Sequence, residues 1–549
     1  MPKRDDIDRI VRRAWRRPRD SARQDALIAA WAEDPDAVEA AFERLDEPAQ
    51  RHAREPRPPR VGWDPRGQQR ARWENPIGTR QVEPLLYFHP ETTDQVAHVL
   101  ATAIHHRRRA RAVGNGHSAT DCMVCGDYLV STAGLDQPLP LGVELLRPHV
   151  DPTNLFRVQA GIRIDALNDA LSAAGKCMPN NTAFDGQTLV GVFATGSHGA
   201  GMEFGAVADV AASLTVVGEG GHIQRIEPAA GITDPGAFAR THPRQTLVQD
   251  DDAFAAHLVA MGCLGIVTEV VLQVEPDYFL EEVRLLMEWE EVKALLTPAF
   301  LREHRHVAVL VNPYRVDDRR SGISGRTASV ALRNRHPGPA SRHSRYGPLV
   351  ALANLAPELP SKIMLHRPDR TPALLNQALR TLASREGRRF VGRGCDVLNF
   401  GGTQRNSAYA LNVGVDTSVA FEAIDAVIAE ICARAEEGRQ FATAPLSLRW
   451  TGPSRAFLAP MFGRDTCMIE PPCLHPTVGG PEILHSLQHV LYRFGGRPHW
   501  GLEFNLTGAG GRVRELWGDA YDAWLTQYRR FNAHGTFDSI FTERVGFHR

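Results

Sequence analysis

One unbroken stretch, from Leu85 to Ser118, limits what this chain can become more than any other part of it. Leu85-Leu86-Tyr87-Phe88 reads as a strand, and Pro90 closes it. Thr92, with Gln95 three positions later, spells a capping box. Val96, Val99, Leu100 and Ala103 then recur at helical spacing and give that helix one apolar face. Arg109-Ala110-Arg111-Ala112-Val113 is the next strand, and it opens directly onto Gly114-Asn115-Gly116-His117-Ser118. Glycine admits positive φ and lets main chain approach a ligand closely, and successive N–H groups in such a turn bind phosphate oxygens. A strand–helix–strand unit that delivers the chain into this turn is consistent with a phosphate-binding loop.

A Gly-x-Gly turn alone is common. Two further glycine-rich segments follow it. One runs from Gln187 through Thr195-Gly196-Ser197-His198-Gly199 to Gly201. The other, Met261-Gly262-Cys263-Leu264-Gly265-Ile266-Val267, turns into a strand. Each could be a plain turn. Three in this order and spacing predict an extended cofactor lying against backbone.

With these segments the chain resembles the vanillyl-alcohol oxidase superfamily, whose fold is the PCMH-type FAD-binding fold. Within it the chain is similar to the sugar-1,4-lactone oxidase branch of gulonolactone, arabinonolactone and alditol oxidases. The resemblance spans roughly residues 73–549 and includes Arg497-Pro498-His499-Trp500-Gly501 and Phe531-Asn532-Ala533-His534-Gly535-Thr536-Phe537. It implies a two-domain α+β architecture: an FAD-binding domain at 73–275, an α+β cap that takes the substrate at 276–490, and a C-terminal segment, 491–549, returning to the FAD domain. Residues 1–60 lie outside it. Ile7, Ile10, Val11, Ala14 and Trp15, then Leu27, Ile28 and Trp31, recur near helical spacing and predict a helical extension. Such an arm packs on the body or supports a homo-oligomer.

The resemblance also implies where FAD is held: by Val113, Gly114, Asn115, Gly116 and Ser118, by Thr195, Gly196, Ser197, His198 and Gly199, and by Gly262, Gly265, Ile266 and Val267. It implies a covalent 8α bond from His117 to the flavin, and it puts His499 at the flavin, facing substrate. An alkylated imidazole withdraws electrons from the flavin and favours hydride uptake, while the redox chemistry stays the cofactor's. Some relatives carry a second, cysteine tether before the second glycine segment. Here Asn180-Asn181-Thr182-Ala183-Phe184-Asp185-Gly186 holds no cysteine and Cys177 falls a few residues early, so one tether is expected.

Two departures concern the pocket. The branch's Glu-x-Arg aligns with Ser447-Leu448-Arg449, keeping the arginine and losing the glutamate, and its His-Trp-Gly-Lys has become His499-Trp500-Gly501-Leu502. Losing both charges predicts a less polar pocket suited to a less hydroxylated substrate than xylitol or a free aldonolactone. Arg449 remains to stabilise an oxyanion or the reduced flavin. His499 is the first candidate for the base, Glu470 the second and Glu503 the third, the last expected to turn outward by strand alternation.

Composition removes other classes. A formal net charge of -1 argues against nucleic-acid binding. The most apolar long run, Pro348 to Leu365, is interrupted by Pro357 and Pro360, so no membrane span is expected, and the N-terminus has no apolar leader core. A cytoplasmic location follows as an expectation. Eight scattered cysteines do not form a disulfide framework, and Cys122-x-x-Cys125 lacks a second ligand pair, so no metal is expected. The predicted activity is an FAD-dependent oxidase that moves hydride from the CH–OH carbon of a small molecule to flavin, with O2 as acceptor and H2O2 as product. A specialised desaturating or cyclising oxidase, a dehydrogenase with another acceptor, and a protein whose chemistry has lapsed are the alternatives.

Overall fold

The computed structural model describes residues 60–338, 358–399, 408–508 and 511–548, and near the start residues 4–16, 21–34, 37–38 and 41. The side chains of Trp15, Ile28 and Trp31, and residues 348–357 of the apolar run, lie outside the described set.

The strand–helix–strand unit forms as its sequence predicts. Leu86–Phe88 and Ala110–Val113 are strands, and helix Thr93–His105 between them buries Val96, Val99, Leu100 and Ala103. The two strands do not pair with each other, because Tyr128–Ser131 lies between them and pairs parallel with both. Half of the capping box is present. The Thr92 hydroxyl accepts from the Gln95 amide at 3.3 Å, whereas the Gln95 side chain accepts from the Glu91 N–H at 2.6 Å, one residue before the expected donor.

A second sheet of six strands has Ala211–Val217 and Ile266–Gln273 at its centre. All seven residues of Ala211–Val217 are buried, as a strand covered on both faces requires. The glycine turn at 262–265 feeds directly into Ile266–Gln273.

The third sheet has eight antiparallel strands, in the order 388–393, 279–288, 327–336, 306–311, 446–451, 466–470, 413–416 and 497–498. Its two faces go to different places. Leu446, Leu448, Trp450, Cys467 and Ile469 join one cluster with helices Ala420–Gly438 and Gly480–Tyr492. Met468, on the opposite face, joins the cluster built from the two flavin-side sheets. Alternation along these strands therefore turns Ser447, Arg449 and Glu470 towards the FAD-binding half.

The last helices pack in that same flavin-side cluster, where Trp524 and Phe541 are fully buried. The first helices, Arg4–Arg16 and Ser21–Glu33, pack through Ile7, Val11, Ala14 and Leu27 onto Ile363 of helix Glu358–His366. Lys362 donates to Gln24 at 3.0 Å across that contact. Among the described residues no helix is long and apolar enough to cross a membrane.

Candidate active site

The three glycine-rich segments line one cavity. Its wall includes Val113, Gly114, Asn115, Gly116, His117 and Ser118 from the first, Thr188, Gly191 and Thr195 from the second, and Gly262, Gly265, Ile266 and Val267 from the third. His499, Gly501 and Leu502 line the same cavity. Gly196, Ser197, His198 and Gly199, also expected at the cofactor, do not belong to this wall; they lie behind it, with Ser197 bonded to His499.

The lining suits a flat dinucleotide. Gly116 has φ +73°, a conformation side chains rarely adopt, and a Cβ at Gly114 would collide with the Thr188 hydroxyl. The turn is held from behind: the Asn115 side chain donates to the Gly186 carbonyl at 2.7 Å, and Asn75 donates to the Ser118 carbonyl at 3.1 Å. His117 opens into the cavity with its ring edge-on to Phe184, centroids 4.9 Å apart. Cys177 lies elsewhere, in a small cluster with Tyr278, Leu280 and Cys395.

Arg111 anchors this region in a way the sequence did not signal. It is 1% exposed and has no carboxylate partner among the described residues. Its guanidinium donates to the carbonyls of Cys122, Met261, Gly262 and Phe537, joining the first and third glycine segments to the C-terminal segment.

His499 is 7% exposed. Its Nδ1 accepts from the Gly501 N–H at 3.0 Å, which leaves the proton on Nε2 to be donated to the Ser197 hydroxyl at 3.0 Å. Burial lowers its pKa to about 4. Expected first among the bases, His499 is thus a neutral ring with both nitrogens engaged, suited to orienting rather than to accepting a proton.

His198 is also locked. Its Nδ1–H donates to the Gly199 carbonyl at 2.9 Å, and its Nε2 accepts from the Asn412 side chain at 2.9 Å. Burial first, then the Arg449 charge and the neighbouring His499 ring, lower its pKa to about 3. Asn412 escaped the sequence reading, although a lone amide in the apolar run Leu411-Asn412-Val413-Gly414-Val415 was a usable signal. It sits between His499, whose N–H donates to the Asn412 carbonyl at 2.8 Å, and the strand carrying Glu470.

Glu470 stands directly across from Ser447 in the strand register, with Arg449 opposite Met468. Burial raises the Glu470 pKa, and the nearby Arg449 charge opposes that rise. The sheet thus sets a carboxylate opposite the position where the glutamate was expected, although neither Glu470 nor Arg449 is on the wall of the glycine-lined cavity. Glu503 lies 3.8 Å from Arg80 in a stretch that forms no strand, so the alternation expected to turn it outward does not apply there.

Comparison with known proteins agrees with this geometry. Residues 84–227 match the FAD binding domain profile, and residues 270–545 match the profile of D-arabinono-1,4-lactone oxidase. The chain is 24% identical over 486 residues to an L-gulono-1,4-lactone dehydrogenase of Mycobacterium tuberculosis, covering 86% of this chain and 98% of that protein. It is 22% identical over 455 residues to the L-gulonolactone oxidase of Bos taurus, covering 80% and 91%. Among solved structures, cholesterol oxidase from B. sterolicum superposes with a TM-score of 0.65 at 14% identity, covering 89% of this chain and 99% of that one, a likeness of fold.

Proposed function

Because the chain belongs to the D-arabinono-1,4-lactone oxidase family and carries an FAD binding domain, we propose that it oxidises a CH–OH carbon of a sugar-derived lactone or related alcohol, with FAD tethered through His117. One observation carries this reading: all three glycine segments line a single cavity that has both His117 and His499 on its wall. Bound there, FAD supplies the hydride acceptor.

The chain's own residues do the rest. The main chain of Val113–Ser118 would hold the diphosphate, and His117 would carry the covalent tether. Arg111, behind the wall, fixes the loops that must not move. Ser197 and Gly501 hold the His499 ring in one orientation, so that it shapes the substrate side of the flavin without changing charge. Arg449 stabilises negative charge developing on the substrate oxygen. Glu470, its pKa raised by burial, is the group best placed to receive the hydroxyl proton.

The test is a substrate screen under anaerobic conditions that follows bleaching of the flavin absorbance. L-gulono-1,4-lactone, D-arabinono-1,4-lactone and less hydroxylated alcohols are the probes. Bleaching by at least one supports the reading, and a flavin that none of them bleaches refutes it. Readmitting air separates acceptors: stoichiometric peroxide marks an oxidase, and a slow return of colour marks a dehydrogenase.

A further inference from the structure

Resting on that reading, we propose that Glu470 is a transposed carboxylate: it reaches across the strand pair to bind a substrate hydroxyl in the place left by Ser447, with Arg449 and Asn412 completing a polar clamp. Three observations converge.

The first is register. Ser447 and Glu470 are direct cross-strand partners on one face of the sheet. Their Cβ atoms are then about 5 Å apart, within the reach of a glutamate side chain. The short Ser447 side chain leaves that space open.

The second is direction. The neighbours Leu446, Leu448 and Ile469 are buried under the helices, whereas Met468 packs into the flavin-side cluster. Arg449 and Glu470 share the face of Met468, and both are half-buried.

The third is unused bonding capacity. The side chains of Arg449 and Glu470 form no hydrogen bond or ion pair with each other or with any other described residue, although the Arg449 charge acts on Glu470. Asn412 is 4% exposed, and its amide oxygen is buried without a donor. That oxygen cannot trade places with the amide nitrogen. Gly199 takes the Nδ1 proton of His198, so His198 Nε2 is an acceptor and demands the N–H of Asn412. A carboxylate and an amide oxygen held without donors beside a cation held without an acceptor is costly unless a ligand supplies the missing partners. A hydroxyl that donates to Glu470 or Asn412, next to an oxygen that accepts from Arg449, supplies them, and a hydroxylactone or vicinal diol carries that pair. Leu502, on the wall of the glycine-lined cavity, offers nothing polar to the remainder of such a molecule. The ligand class is therefore an alcohol or lactone that is hydroxylated at one end.

A strand swap tests this. Glu470→Ser should weaken binding of L-gulono-1,4-lactone, read as the spectral perturbation of the bound flavin on rapid mixing, on the order of tenfold to a hundredfold, the usual worth of a hydrogen bond to a charged group. Ser447→Glu in the Glu470→Ser background should restore most of that loss by returning the carboxylate to the same space from the other strand. Ser447→Glu alone, which crowds two carboxylates, should bind no better than wild type. An unchanged melting temperature and flavin spectrum certify that the variants fold. Lactone binding that ignores Glu470→Ser, a swap that rescues nothing, or no lactone binding by wild type would each overturn the proposal. Binding that follows the swap without any flavin bleaching would instead sink the redox reading and leave this one standing.

Discussion

His306 gives a test of how tightly the two halves are joined. It begins strand His306–Val311 of the eight-stranded sheet, and its Nδ1–H donates at 2.7 Å to the carbonyl of Ala200, at the end of the second glycine segment. The ring is fully buried, stacked on Phe204 with centroids 5.3 Å apart, and its Nε2 has no partner. Burial, aided by repulsion from Arg333, Arg305 and Arg335, lowers its pKa to about 3. In the unfolded chain the value returns to about 6.5. Between these values the unfolded chain takes up a proton that the folded chain refuses, so the stabilisation is complete above the unfolded value and is lost as pH falls below it. From about pH 7.5 to about pH 5 the loss is about 2 kcal/mol for this one group.

His306→Gln keeps a donor for Ala200 and removes the titration. At neutral pH the variant should be less stable by about 1–3 kcal/mol, from imperfect packing. Urea unfolding followed by far-UV circular dichroism at both pH values should show that penalty shrinking by about 2 kcal/mol at the lower pH. A penalty independent of pH within about 0.5 kcal/mol would mean that the ring is charged or solvated in the native state, and the burial argument would fail. His198, His257 and His499, lowered to about 3, about 4 and about 4 by burial, act with the same sign. Asp209, raised to about 6, acts with the opposite sign because its folded form gains a proton as pH falls.

His117→Ala should leave the flavin in the supernatant after acid precipitation, whereas wild-type flavin should stay with the polypeptide; colour retained by the variant would move the tether to another residue. Arg449→Ala should slow anaerobic flavin bleaching by about a hundredfold while leaving the flavin bound, the usual effect of removing one charge-stabilising donor, and unchanged bleaching would place it outside the site. Deleting residues 1–41 should leave flavin incorporation intact, since the helices there pack on Ile363 rather than on the glycine segments, and should expose an apolar patch detectable as self-association at micromolar concentration. An apoprotein product would show that the arm supports the fold of the flavin half.

What the sequence revealed and what it withheld divide along the range of the interactions. Strand Leu86–Phe88, helix Thr93–His105 and strand Ala110–Val113 were legible because each is fixed by residues a few positions apart. The insertion of Tyr128–Ser131 between the two strands was not, because nothing local records which edge a later strand takes. The cavity wall was legible because main-chain ligand binding requires glycine wherever it occurs. The state of His499 was hidden, since its tautomer is set by Gly501 two residues on and by Ser197 some three hundred residues away. Arg111 read as an ordinary strand residue, and its four carbonyl partners come from three separate segments.

The pocket shows why position by position comparison can mislead about chemistry. Along one strand, Ser447 in place of a glutamate looks like the loss of a charge. In the sheet, the position that matters is a volume near Arg449, and two strands border it. Glu470 fills that volume from the far side, so the carboxylate is retained although its position in the sequence is not. No equivalent rescue exists for the lysine replaced by Leu502. Glu503, next in sequence, carries the wrong sign and is turned to Arg80, and the described residues place no other ammonium on the cavity wall. The two departures are therefore not a pair. One is compensated across the sheet and the other is a real loss of charge, which leaves a site polar where Arg449, Glu470 and Asn412 meet and apolar at Leu502. The expectation of an evenly less polar pocket gives way to a directional one, in which a hydroxyl is tolerated at one end of the substrate and disfavoured at the other.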